Sequence, residues 1–138
     1  MIYYVTSTRV PMSALIAYAH AFAGAVPGDL PTIHYLHTAP HEHEAEQGER
    51  ILKRHEEQPG RPIIAVSLAE LPLLRLLRRV GEGRLSPSDL TVIVLTTLDG
   101  SDEVTEVRLR VDARGEFLDV WPNGFFDARD AELFYEAP

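Results

Sequence analysis

Residues 62–66 read Pro-Ile-Ile-Ala-Val, a run without a single polar side chain. A strand that wets one face alternates apolar and polar residues, so an unbroken apolar run belongs in a parallel sheet covered on both faces. Helical patterns flank it. His41 to Glu57 is polar and charged, anchored by Ile51 and Leu52 and stopped by Pro59-Gly60, so a mostly exposed helix is expected there. Leu71 to Val80 is rich in leucine and is broken by Gly81-Glu82-Gly83. Pro72 fits only a first turn, which places the start of this helix near Ala69 or Glu70.

Upstream, Ile2-Tyr3-Tyr4-Val5 reads as an opening strand, and Met12 to Ala25 repeats Leu15, Ile16, Tyr18, Ala19, Phe22 and Ala23 at helical spacing. Gly24, Pro27 and Gly28 end that helix, and Thr32 to Leu36 forms a short strand after Pro31. Downstream the period changes. Leu90 to Thr97 and Val104 to Val111 alternate, Asp99-Gly100 between them is a hairpin turn signal, and Phe117 to Val120 reads as a third short strand. The expected fold is therefore α/β: a partly parallel sheet flanked by helices, followed by a C-terminal antiparallel meander. At 138 residues this is one domain, with an α/β part over 1–89 and the meander over 90–138.

Composition narrows the function classes. A formal charge of −8 argues against direct contact with nucleic acid, which needs clustered Lys and Arg. The one basic run, Arg75, Arg78, Arg79 and Arg84, reads first as solvated helix decoration and second as a partner contact. No cysteine is present, which excludes disulfides and fits a reducing cytoplasm. The start, MIYYVTSTRV, lacks a basic segment followed by an apolar run, and no apolar stretch approaches the ~20 residues of a membrane helix. A cytoplasmic protein with no membrane contact is expected. Met1 and the strand behind it favour a complete gene product.

The segment Leu90 to Phe134, with its closing Trp121-Pro-Asn-Gly-Phe-Phe-Asp127, and RLLRRVGEGRLSPSDL before it resemble the C-terminal end of RecF/SMC-like, ABC-type ATPases. Those proteins close on a domain of unknown function with a Trp-Pro-x-Gly-Phe-Phe-Asp ending. The likeness is strongest from Leu73 to Phe134. In that family a strand ending in Thr-His-Ser carries the histidine that senses the γ-phosphate; the matching stretch here is Ile63 to Glu70, and Leu68 takes the histidine's place. Leucine can neither donate nor accept a hydrogen bond. Where the family has Glu-Glu-Pro or Asp-Glu-Pro to hold Mg²⁺, this chain has His37-Thr38-Ala39-Pro40. Where the family's signature loop runs Gly-x-Ser-Gln, this chain has Arg9-Val10-Pro11-Met12-Ser13, and no Gly-x4-Gly-Lys-Ser/Thr loop occurs. The resemblance thus implies an ATPase lobe that does not hydrolyse ATP by itself and takes no cofactor.

Trp121, Phe125 and Phe126 have two readings: an aromatic plug for the C-terminal strands, or exposed anchors for a partner. His34, His37, His41 and His43 are the one cluster with metal-like spacing, with Glu42 or Glu44 as possible companions, but they match no established zinc pattern. Asp99, Asp102 and Glu103 suggest a two-metal nuclease site, yet the same residues suit a hairpin tip. The acids of the His41–Glu57 helix read as a salt-laced solvent face that would prefer an Arg-rich partner. The resulting expectation is a non-catalytic binding or regulatory module derived from the second half of an ABC-type ATPase. By resemblance it pairs with an ATPase subunit or with a second copy of itself, in DNA maintenance or phage defence. The competing expectations are a His-rich metal-dependent hydrolase and a subunit supplying residues in trans to an ATPase.

Overall fold

A computed structural model of the chain describes residues 1–28, 30–36, 41–97 and 102–122, without the side chains of 41–43. Strands β1 (Ile2–Ser7), β2 (Thr32–Tyr35), β3 (Ile63–Val66), β4 (Leu90–Thr97) and β5 (Val104–Leu109) alternate with helices α1 (Met12–Ala25), α2 (His41–Glu57) and α3 (Leu71–Gly81) up to β4. The five strands form one sheet in the order β2-β3-β1-β4-β5. β1, β2, β3 and β4 run parallel, with Ile2 opposite both Ile63 and Leu90, and β5 returns antiparallel to β4. The fold is α/β, a mixed and mostly parallel sheet flanked by three helices.

Side-chain alternation along the central strands builds two cores. Ile2, Tyr4, Ile63, Ala65, Val92 and Val94 face α2 and α3, where Ile51, Leu52, Leu73, Leu76 and Val80 meet them. Val5, Ile64, Val66, Ile93 and Leu95 face the other way, onto Leu15 and Ala19 of α1. Burial on both faces is what removes the polar positions from β3. The α1 side is finished by aromatic contacts, with Phe22 edge-on to Tyr3 and stacked on Tyr18, and the Arg108 guanidinium of β5 lying over the Phe22 ring.

The observed elements differ from expectation mainly at their ends. β1 runs two residues further, to Ser7, because Thr6 and Ser7 continue the ladder with β4. α3 begins at Leu71 rather than at Ala69 or Glu70, with Glu70 as its N-cap. Phe117 to Val120 is not a full strand. It makes one bridge, Val111 with Phe117, and is then held by side chains: Asp119 accepts from the Arg110 amide and pairs with its guanidinium at 2.9 Å. That pairing holds the Asp119 carboxyl down to about 2. The turn between is tied by Asp112 Oδ1, which accepts from the amides of Arg114 and Glu116, and Gly115 takes a φ of +80° that permits its close approach to Leu77. The expected Asp99-Gly100 turn lies outside the described residues.

α2 and α3 approach closely at Gly48, where an added Cβ would lie 2.5 Å from the Pro72 carbonyl oxygen and 3.1 Å from Arg75 Cβ. Gly48→Ala is therefore expected to destabilise the fold by about 1–3 kcal/mol through overpacking. Gly24→Ala, whose Cβ would enter open space, should be neutral or stabilise by up to about 1 kcal/mol. Urea unfolding of both variants checks the contrast, and equal effects would contradict the packing described.

Candidate functional site

Ligands of open α/β sheets settle at the carboxyl ends of the strands, where neighbouring connections leave for opposite faces. β1 and β3 are adjacent here; β1 leads to α1 on one face and β3 to α3 on the other. The rim above them carries Ser7, Thr8, Ser67 and Thr96, all buried. Each hydroxyl has a partner within the protein. Ser7 Oγ donates to the Val10 carbonyl at 2.6 Å, Thr8 Oγ1 to Thr96 Oγ1 at 2.8 Å, and Ser67 Oγ accepts from the Ala69 amide at 2.9 Å. Tyr4, fully buried, donates from its hydroxyl to the Ala69 carbonyl at 2.7 Å and pins the start of the α3 connection to β1. Burial pushes that phenol well above its ordinary value. Arg9 sits in the left-handed region at φ +66°, an uncommon conformation for a residue with a Cβ.

Leu68, two residues past the end of β3, stands on this rim and is 45% exposed. Magnesium and a terminal phosphate need carboxylates or hydrogen-bond donors. Among the described residues the four hydroxyls of the rim are each bonded within the protein, and Leu68 adds an isobutyl group with neither donor nor acceptor. Neither those hydroxyls nor Leu68 supplies a carboxylate for magnesium. The His37-Thr38-Ala39-Pro40 stretch lies outside the described residues.

The basic run of α3 has internal partners. Glu49 of α2 accepts from Arg79 Nε at 2.6 Å and Arg75 Nη1 at 3.3 Å through one oxygen, and from Arg84 Nη1 at 3.4 Å through the other. Arg79 also holds Glu82 at 2.6 Å, and Arg84 reaches Glu56 at 3.0 Å. Burial acts to raise the Glu49 carboxyl, but Arg79 and Arg75 prevail and hold it below its ordinary value. Arg75 and Arg79 thus join α2 to α3, whereas Arg78 is exposed and, among the described residues, pairs with Glu82, one turn on, at 3.5 Å. Of the three partner candidates on this helix, Arg78 is the one presented outward.

The remaining candidates separate as well. Trp121 is 4% exposed and packs against Phe117 with ring centroids 5.0 Å apart, so it sits in the core below the meander. Phe125 and Phe126 lie outside the described residues, as does Asp99; Asp102 and Glu103 are exposed just before β5. Of the histidines, His37 lies outside the described residues and the His41 and His43 side chains are not described. Among the described residues no group of three His, Cys, Asp or Glu side chains could hold a metal ion, and no helix is long and apolar enough to cross a membrane.

His34 belongs instead to a feature that spacing alone did not single out. A cleft of about 370 Å³ lies between β2 and α2, lined by Ile33, His34, Tyr35, Leu36, Gln47, Arg50, Ile51 and Arg54. His34 Nε2 and Thr32 Oγ1 are 3.3 Å apart, and Tyr35 turns its hydroxyl to His20 on the α1 side at 2.9 Å. The signal was Arg50 and Arg54, four apart on a helix and so on one face of it.

Compared with known proteins, the chain matches no family model, no curated protein and no solved structure.

Two imidazoles carry a pH dependence. Burial, reinforced by Arg54, pushes His34 below its ordinary 6.5. Burial, with the N-terminal ammonium, does the same to His55 and prevails over Asp89, whose carboxylate lies 3.6 Å from His55 Nε2. The unfolded chain then binds these protons more readily than the folded one, so stability is complete above 6.5 and erodes as pH falls below it. Urea unfolding should show a loss of stability as pH drops through this window, flattened in His34→Gln/His55→Gln. A flat profile in the parent would contradict the assignment.

Proposed function

We propose that this chain is a non-catalytic binding or regulatory module related to the second half of an ABC-type ATPase, pairing with an ATPase subunit or with a second copy of itself. The observation that carries this reading is Leu68: an exposed apolar side chain at the strand end where the family it resembles places a phosphate-sensing histidine. In that family the same rim meets its partner across the nucleotide. A leucine there contributes to a protein contact by removing apolar surface from water, about 25 cal/mol per Å², and contributes nothing to phosphate transfer. The bonded hydroxyls around it support the same conclusion, since none is left poised for a substrate. Residence in the cytoplasm and a role in DNA maintenance or phage defence come with the resemblance and belong to this reading.

Sedimentation velocity over a wide concentration range, alone and mixed with an ATPase of the resembled family, tests it. Association is expected in one of the two arms, and Leu68→Asp should weaken it about tenfold or more, the cost of charging an apolar contact. ATP turnover of the mixture should change only through binding, so Ser67→Ala should leave it as the parent does. Absence of association in both arms would overturn the reading, and so would a turnover that requires Ser67.

A further inference from the structure

The chain has 21 acidic residues against 13 basic ones, and its described cations mostly find those acids. Lys53, Arg75, Arg78, Arg79, Arg84, Arg108, Arg110 and Arg114 each have a carboxylate within 4.0 Å. The Arg50 and Arg54 side chains make no ion pair or hydrogen bond among the described residues, although both lie on the most acidic of the described helices. The reason is geometric. Glu49 and Glu56 are turned to Arg75, Arg79 and Arg84, and Glu57 to Lys53. The face with Arg50 and Arg54 looks instead across the cleft at His34 and Leu36. Two guanidinium groups, with the His34 imidazole held uncharged at neutral pH beside them, therefore share one cleft in a protein of net charge −8.

The far wall of that cleft is a sheet edge: among the described residues β2 pairs with β3 alone. Thr32 N–H donates to Pro62 and Leu36 N–H to Val66, and in a strand alternate residues turn their backbone groups to opposite sides. The N–H and C=O groups of Ile33 and Tyr35 therefore point out of the sheet, ready for another strand. A strand added there continues the pleat, so every second side chain of it falls on the face of His34 and Leu36, beneath α2. Such side chains repeat every ~6.7 Å. Arg50 and Arg54, one turn apart, repeat every ~6 Å along α2. The two spacings match.

We infer that the cleft between β2 and α2 is a docking site for an extended acidic segment of a partner protein, which adds to the free edge of β2 and places alternate Asp or Glu side chains on Arg50 and Arg54. Backbone pairing with Ile33 and Tyr35 supplies the register, and the paired guanidinium–carboxylate contacts supply the choice of an acidic sequence. Leu36 and Ile51 give the floor an apolar strip for the methylenes of a glutamate. The site uses other residues than the Leu68 rim, and stands whether or not the chain is related to an ATPase. It also reverses the partner chemistry expected from the sequence of α2, since the acids of that helix are partly consumed and its two free arginines face outward.

Fluorescence anisotropy with labelled eight-residue peptides tests it on the intact chain. The probes are a Glu-Val alternating peptide, its Lys-Val counterpart, and the Glu-Val peptide N-methylated at alternate amides to block strand pairing. The Glu-Val peptide should bind saturably, and the other two about tenfold or more weakly. R50E/R54E, with its fold checked by circular dichroism, should lose the Glu-Val peptide and gain the Lys-Val one. Hydrogen exchange should show the Ile33 and Tyr35 amides protected by the Glu-Val peptide. Binding insensitive to R50E/R54E would overturn the site. Equal binding of the N-methylated peptide, or equal competition by inorganic phosphate or a single-stranded oligonucleotide, would show a simple anion site and overturn the strand.

Discussion

β1, β3 and β4 have no wet face, and everything else in the molecule is arranged to cover them. Fully buried strands need apolar layers on both sides, which puts α1 on one face and α2 with α3 on the other. Because α1 and α3 leave neighbouring strands for opposite faces, a rim opens between β1 and β3. Because α2 must lie against α3, its Gly48 is drawn onto the Pro72 carbonyl and its Glu49 into the arginines of α3. That docking in turn leaves Arg50 and Arg54 hanging over β2. The two candidate sites are thus consequences of one packing constraint rather than separate features of the surface.

Much of this was legible in the residues. The unbroken apolar run of β3 announced a doubly covered parallel strand, helical spacing gave α1 and α3 to within two residues, and the alternation of Leu90 to Thr97 gave β4. Phe117 to Val120 was misleading, since its alternation is genuine but its register comes from the Asp119–Arg110 clamp after a single bridge. No period reports a side-chain clamp. The arginines of α3 show the same limit. As a local pattern they resemble solvated decoration, and their partner Glu49 lies 26 to 35 residues away in sequence. Only the tertiary fold separates Arg75 and Arg79, which join helices, from Arg78, which does not.

Trp121 is a packing group in the fold. It lies in the core against Phe117, where its burial stabilises the meander. The proposed relation to ATPase termini draws on such a group, whose observed role is packing. The same logic applies to the rim. Ser7, Thr8, Ser67 and Thr96 are residues that in another context contact phosphate, but here they close the ends of the strands, Thr8 on Thr96 and the two serines on backbone groups nearby. Their burial costs little because their partners are built in.

The proposed function makes the rim beyond β1 and β3 a protein-contact surface with no nucleotide bound there. Calorimetric titration of the purified chain with ATP, with and without Mg²⁺, addresses this most directly. The account predicts no saturable heat that depends on magnesium. Stoichiometric, magnesium-dependent binding that Ser67→Ala abolishes would contradict it.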